Sequence, residues 1–245
     1  MSYAIMRAEK LKSHQIHFSQ NHNERNHKNY SNPDINLEKT KDNYHLIESK
    51  NYSRDTEHII QKNYKSTKTI RKDAVKYTTH ILTGSHEQMK KIENDPQARK
   101  AWINANLEFI KKEYGEKNIV RFSVHRDEKT MHIHAVTVPL TSDGRLSAKE
   151  VLGGRKEMSE RQDRYAAQMK SFGLERGEKA TGIKHENARE YYARIEQAQN
   201  SIDKNDFKAQ KNAFGVYKSE SVEELQNVLK SQKTALKAKD LELAK

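Results

Sequence analysis

Hydrophobic and polar positions alternate at several places along this 245-residue chain, and those alternations predict strands. SYAIMRA (2–8) reads as a short opening strand, and DAVKYTTHILTG (73–84) as a longer one ended by Gly84. NIVRFSVH (118–125) and HIHAVTVPL (132–140) are two more, joined by six residues. Six residues cannot supply a crossover, so these two strands are expected to run antiparallel. GLERG (173–177) closes the series.

Between the strands the apolar spacing becomes helical. DTEHIIQKNYK (55–65) predicts a short helix. SHEQMKKIENDPQARKAWINANLEFIKKEYG (85–115) predicts a long one, with Ser85 as N-cap, a restart at Pro96 and a stop at Gly115. Its apolar face carries Trp102, Ala105, Phe109 and Ile110. Ser147 and Glu150 have capping-box spacing, and Met158, Tyr165, Met169 and Phe172 form one stripe of a helix from about 155 to 172. Residues 13–54 are polar, with a turn at Asn32–Pro33–Asp34, and are too long for a simple loop, which marks a functional segment.

Strands mixed with two long helices predict an α+β fold, an antiparallel sheet with helices on one face. Residues 1–199 are expected to form this domain. In 200–245, after a polar helix over 184–199, Val222, Leu225, Leu229 and Leu236 make only a thin stripe. That extension reads as a helical linker and the start of a coiled coil, suited to a homodimer. It reaches the last residue without a stop signal, as expected of a piece of a longer chain.

Composition narrows the function classes. Hydrophobic residues make up 33% of the chain and the mean hydropathy is −1.10, so only part of it can bury a core. No apolar run approaches the ~20 residues of a membrane span, and the stripe near the C-terminal end lacks Trp and Phe, so stable membrane insertion is not expected. With no cysteine, disulfides and thiolate metal ligands are excluded, and a soluble cytoplasmic protein is expected. The net charge is +12, yet residues 201–245 hold nine Lys against seven Asp or Glu. About +10 therefore lies in residues 1–200, which points to a polyanion such as DNA as partner there.

SVHRDEKTMHIHAVTVPL (123–140) holds the densest chemistry. His132 and His134, two apart on a strand, project to one face. Phe122 and Val124, grouped with Val120, form the apolar face of the preceding strand, which sends Arg121, Ser123 and His125 to the other. An antiparallel turn then returns His125 beside His132 and His134. Three imidazoles on one patch suit an open metal site whose free positions can polarise a substrate oxygen. With phosphate as substrate, Mn²⁺ or Mg²⁺ is favoured, Mn²⁺ being the more comfortable with nitrogen ligands.

HRDEKTMHIH (125–134) resembles the three-histidine motif of the MobV, or Mob/Pre, group of plasmid mobilisation relaxases, within the HUH endonucleases. Further blocks similar to that family follow in order: HNER (22–25), SNPDINLEKTKDNY (31–44), IRKDAV (70–75), LSAKEVLGGRKEMSERQDRYAAQMKSFGLERG (146–177) and EYYARI (190–195). One departure is Met131, where the family usually has proline, and a looser turn is expected there. The resemblance implies an HUH relaxase-like fold and a DNA nickase that cuts and rejoins one strand at an origin of transfer through a covalent 5′-phosphate adduct.

It also implies roles. His22 of HNER is the nucleophile, with Tyr44 as the rival. Arg25 and Arg71 hold the phosphate, joined by Lys72 in contacting DNA. Glu128 accepts a proton from His22, and Asp127 orients a metal-bound imidazole. Tyr30, Tyr44, Tyr52, Tyr191 and Tyr192 are available to stack on single-stranded bases. On the residues alone, two other readings stay open. One is a zinc-type hydrolase of small molecules, and the other a noncatalytic nucleic-acid-binding module with a coiled-coil arm.

Overall fold

The computed structural model describes residues 2–27, 30 and 32–177, all within the first of two compact units, Met1–Thr181. The expected helix over 184–199, the coiled-coil start with its homodimer, Tyr191, Tyr192 and the 199/200 boundary lie outside the described residues. Six strands form one sheet in the order β2-β4-β5-β3-β1-β6. They are β1 (Tyr3–Leu11), β2 (Tyr44–Ile47), β3 (Tyr77–Gly84), β4 (Ile119–His125), β5 (His132–Thr137) and β6 (Glu175–Arg176). Neighbours are antiparallel except the short edge strand β6, which runs parallel to the start of β1. The α+β class and antiparallel core read from the sequence are therefore present.

The helices are α1 (Ile16–Asn23), α2 (Tyr52–Asn63), α3 (His86–Asn94), α4 (Pro96–Tyr114), α5 (Ala148–Leu152) and α6 (Arg155–Met169). Buried residues of α3, α4 and α6, among them Met89, Trp102, Phe109, Ile110 and Tyr165, pack on the sheet face formed by Met6, Leu82, Phe122, Val124, Ile133 and Ala135. Asp95 caps α4 by accepting from Gln97 N and Ala98 N, and Pro96 occupies the first turn, so the break falls where Pro96 predicted it. Gly115 ends α4 with φ 84°, a left-handed turn that suits a residue without Cβ.

Ser85 differs from expectation. Its side chain makes no cap bond to α3 and instead accepts from Tyr3 N at 2.8 Å, fastening the start of β1 to the end of β3. Gly84 lies at the same junction, where a Cβ would come within 2.6 Å of Leu174.

The opposite face, left open by the sequence pattern, is partly roofed by α1 and α2, whose Ile16, Tyr52 and Ile60 form a second core with Tyr77, Val120, Val136 and Val138. Val120 corrects the alternation read from the sequence. A bulge between Ile119 and Arg121 drops it onto this second face, away from Phe122 and Val124. Residues 13–54, too long for a simple loop, contain α1, a 3-10 turn over Leu37–Asp42, β2 and the start of α2. Met158 is 44% exposed rather than part of the core stripe. Arg161 takes the buried position, donating to the carbonyls of Val151 and Leu152 at 2.9 Å and pairing with Glu113 at 3.1 Å. Among the described residues no helix is long and apolar enough to cross a membrane.

Candidate active site: a histidine cluster beside the central strands

β4 and β5 pair with His125 opposite His132 and Ser123 opposite His134. All three histidines thus share the face opposite Phe122, Val124, Ile133 and Ala135, as their alternation predicted. Their ring centroids are 4.8–5.2 Å apart. Met131 is fully buried in the core, and its carbonyl accepts from Thr83 Oγ1 at 2.9 Å. The turn still closes in register without the proline.

The C-terminal turn of α1 brings a fourth imidazole. His22 lies 5.2 Å from His134 and 6.0 Å from His125, centroid to centroid. Three residues on, Arg25 has φ 54°, the only positive φ outside glycine among the described residues. Such a turn costs about 1–3 kcal/mol. It folds the arginine back so that Nη1 donates to the His22 carbonyl at 3.0 Å. Its Nε and Nη2 then grip both Asp127 oxygens at 2.7 Å, and Nη2 also reaches Glu128 Oε1 at 2.6 Å and His125 Nδ1 at 3.0 Å. Nη1 lies 3.3 Å from His22 Nε2. The guanidinium is almost wholly buried, and this paired set of charges compensates it.

Hydrogen bonds assign the ring protons. His132 Nδ1 donates to the Thr130 carbonyl at 2.9 Å, which leaves the lone pair on Nε2. His125 Nε2 donates to the Asn23 carbonyl at 3.2 Å, which leaves it on Nδ1. Burial pushes His22, His125 and His134 below the usual histidine range. Arg25 reinforces the shift at His22, and His132 does so at His125. For Asp127 burial alone would raise the pKa, but the Arg25 hydrogen bonds outweigh it and hold the carboxyl well below its ordinary value.

Neutral imidazoles are metal ligands. His132 Nε2 and His134 Nε2 are 3.0 Å apart, the separation of two nitrogens that each lie about 2.1 Å from one cation at right angles. Donor atoms of His22, His125 and His134 lie within 4.8 Å of one another, as do those of His125, Glu128 and His132. Each of these sets has donors that suit a divalent cation, and His125 would release the Arg25 Nη2 contact from its Nδ1 to join either one. Beside it opens a cavity of about 360 Å³, with His22, Glu128, Lys129, His132 and His134 in its wall.

Other expected residues are placed differently. Tyr44 pairs with Val124 and packs against the apolar core on the far side of the sheet, where burial raises its pKa. Its neighbour His45 faces the histidine side, with Nδ1 at 3.1 Å from Ser123 Oγ. Tyr52 is fully buried and donates to Glu24 Oε1, so it offers no stacking surface. Tyr30 stands near the site, its ring 5.6 Å from the Arg25 guanidinium. Arg71 and Lys72 lie in the exposed loop between α2 and β3, where Arg71 Nε is 3.5 Å from Asp73.

Several supporting residues were given no role by the sequence. Arg121 is buried against Glu24 at 2.6 Å and donates to Ser123 Oγ, bracing the residue next to Asn23. Thr40 donates to Asp127 Oδ2 at 3.0 Å, and Asn43 Oδ1 accepts from Arg126 N at 2.7 Å.

Comparison with known proteins follows the same lines. Residues 1–193 match the model of the Mob_Pre family, described as plasmid recombination enzyme. A plasmid recombination enzyme type 3 from Staphylococcus aureus is 37% identical over 203 residues, 80% of this chain and 49% of that protein. A plasmid recombination enzyme from a Bacillus species is 30% identical over 240 residues, 96% of this chain and 57% of its own length. The chain thus spans about half the length of the curated relatives it matches. Among solved structures, the Mn-bound MobM relaxase domain in complex with plasmid pMV158 oriT DNA superposes with a TM-score of 0.71 at 31% identity, covering 78% of this chain and 98% of that one.

Proposed function

Because the chain belongs to the Mob_Pre family of plasmid recombination enzymes, we propose that it nicks and rejoins one strand of plasmid DNA at an origin of transfer, for mobilisation, in a metal-dependent reaction. The observation that carries the reading is the approach of His22 to His125, His134 and Arg25, beside a cavity that His22, Glu128, His132 and His134 line.

In this reading His125, His132 and His134 hold the cation, Mn²⁺ being favoured because the MobM domain binds it. The cation, when bound, supplies Lewis-acid polarisation of the scissile phosphate. His22 attacks phosphorus with its ring lone pair. The N–P bond forms, the P–O3′ bond breaks, and the 3′ oxygen leaves as a hydroxyl, taking the proton that Glu128 receives from the His22 ring. The 5′ phosphate stays on the protein. Attack leaves positive charge on the ring, relieved when its other nitrogen gives a proton to Glu128, which lines the same cavity. Arg25, whose fork is taken by Asp127, stabilises the extra phosphate charge through its positive charge rather than by direct hydrogen bonds. Reversal of these steps rejoins the strand. Arg71 and Lys72 would contact phosphates farther along the DNA from their exposed loop.

The test is covalent capture. The protein is incubated with Mn²⁺ and a supercoiled plasmid carrying the pMV158 origin, and in parallel with a single-stranded library of random sequence. Open circles, and adducts joined through the 5′ terminus, are expected. The link should be acid-labile and stable to base, as a phosphoramidate is. Absence of adduct on both substrates refutes the nickase, and an acid-stable link refutes His22.

A further inference from the structure

Segment 32–43, which precedes β2, holds the turn between β4 and β5 at four points. Asn43 Oδ1 accepts from Arg126 N at 2.7 Å, Asn36 N donates to the Asp127 carbonyl at 2.7 Å, and Thr40 Oγ1 donates to Asp127 Oδ2 at 3.0 Å. The fourth contact alone touches Glu128, where Asn32 Nδ2 donates to Oε2 at 2.8 Å. Its amide orientation is fixed locally, because Asn32 Oδ1 accepts from Asp34 N at 3.1 Å. This is an Asx turn around Pro33, whose ring sets φ. The same side chain cannot present oxygen to Glu128 without giving up that turn.

Glu128 thus has one oxygen on the Arg25 guanidinium at 2.6 Å and the other on Asn32. Its side chain is 13% exposed at the cavity wall. Without the amide, the carboxylate can rotate toward solvent or swing both oxygens onto Arg25. Either motion takes it from the proton it must receive. We propose that Asn32 is a positioning residue for Glu128, holding the carboxylate in the orientation that accepts the His22 proton. The inference rests on the reading of Glu128 as proton acceptor.

The test uses the full chain, Mn²⁺ and the oligonucleotide recovered in the adduct selection, with single-turnover rates at saturating DNA. Asn32→Leu removes the donor at similar size, and Asn32→Asp replaces it with an acceptor. Both should slow adduct formation by about tenfold to a hundredfold, the scale of a misplaced reacting group. Affinity for the oligonucleotide by anisotropy should stay unchanged, while melting temperature should fall modestly in Asn32→Leu, which also breaks the Asx turn to Asp34 N. In a Glu128→Gln background, Asn32→Leu should cost nothing further, since no carboxylate is left to position.

Wild-type rates in both Asn32 variants beside a slow Glu128→Gln overturn this inference alone. The same holds if DNA affinity falls in step with the rate, or if Asn32→Leu slows Glu128→Gln as much as it slows the wild type. A Glu128→Gln variant that cleaves at the wild-type rate removes the reading of Glu128 itself, and the positioning role with it.

Discussion

His80 should make the fold acid-sensitive, by an amount its surroundings set. It lies on β3, fully buried, with its ring 4.1 Å from that of Tyr114. Its Nε2 is 2.9 Å from Thr137 Oγ1, and its Nδ1 has no hydrogen-bond partner. Burial, with a smaller contribution from the Arg161 charge, pushes the imidazole down to about 3 from its ordinary 6.5. In the unfolded chain His80 takes a proton as pH falls through 6.5, and in the folded chain only near 3. Between those values unfolding takes up a proton, so acid favours it; above 6.5 both states are neutral and His80 contributes nothing to the slope.

The penalty grows by about 1.4 kcal/mol per pH unit. It reaches roughly 2.7 kcal/mol at pH 4.5 and about 5 kcal/mol below pH 3. His80→Phe keeps a ring against Tyr114 and removes the titration. Urea unfolding followed through Trp102, the sole tryptophan and part of this core, gives the assay. The variant's stability relative to wild type should be flat above pH 7 and rise toward pH 4.5 by the amount stated. At typical urea slopes that is a midpoint difference of about 1 M or more. Taking the difference between two proteins cancels the other histidines. Parallel curves from pH 7.5 to 4.5 would refute the reasoning.

Three further outcomes follow from the site. Mn²⁺ at about a hundred times its dissociation constant should stabilise the fold by roughly 2.7 kcal/mol in thermal melts, and His134→Ala should abolish most of that shift; an equal shift in the variant would exclude His134 as a ligand. Arg25→Ala strands Asp127 and Glu128 in the site and should cost about 3–5 kcal/mol in denaturant titrations, less whatever relief of the left-handed turn returns; a loss under about 1 kcal/mol would mean the carboxylates are already well solvated. Tyr44→Phe should form the covalent DNA adduct at the wild-type rate while His22→Gln forms none, as denaturing gels can read, and loss of adduct in Tyr44→Phe would reverse the assignment.

The strands that carry the histidine face were legible because alternation is a local signal. Six residues between β4 and β5 leave only an antiparallel turn, and parity then puts His125, His132 and His134 together. The rest of the site depends on contacts the sequence cannot order. Arg25 and Asp127 are 102 residues apart, and the helix that presents His22 is a polar eight-residue stretch with little apolar spacing. β2 has only four residues, so neither its existence nor its parity showed. That parity decides between Tyr44, which enters the core, and His45, which faces the site. Val120 was misread for a related reason, because a bulge resets alternation without changing composition. Met158 was misread because Arg161 has its own partners, two carbonyls and Glu113, and so can be buried where helical spacing favours an apolar side chain.

The formal charges explain why the parts belong together. The histidines pushed down by burial contribute no charge, Arg25 and Lys129 contribute two positives, and the carboxylates of Asp34, Asp127 and Glu128 contribute three negatives. Residues alone therefore present a net negative patch, which repels a phosphodiester however basic the surrounding surface is. In the proposed reading a divalent cation reverses that sign and leaves one positive charge facing one negative phosphate. The basic surface then gathers DNA through long-range attraction that salt screens, whereas the scissile phosphate can settle only beside a loaded site. Chelation should therefore leave most of the affinity for the strand and remove the reaction. Reloading the cation, with no change in the salt-dependent part of binding, should restore cleavage.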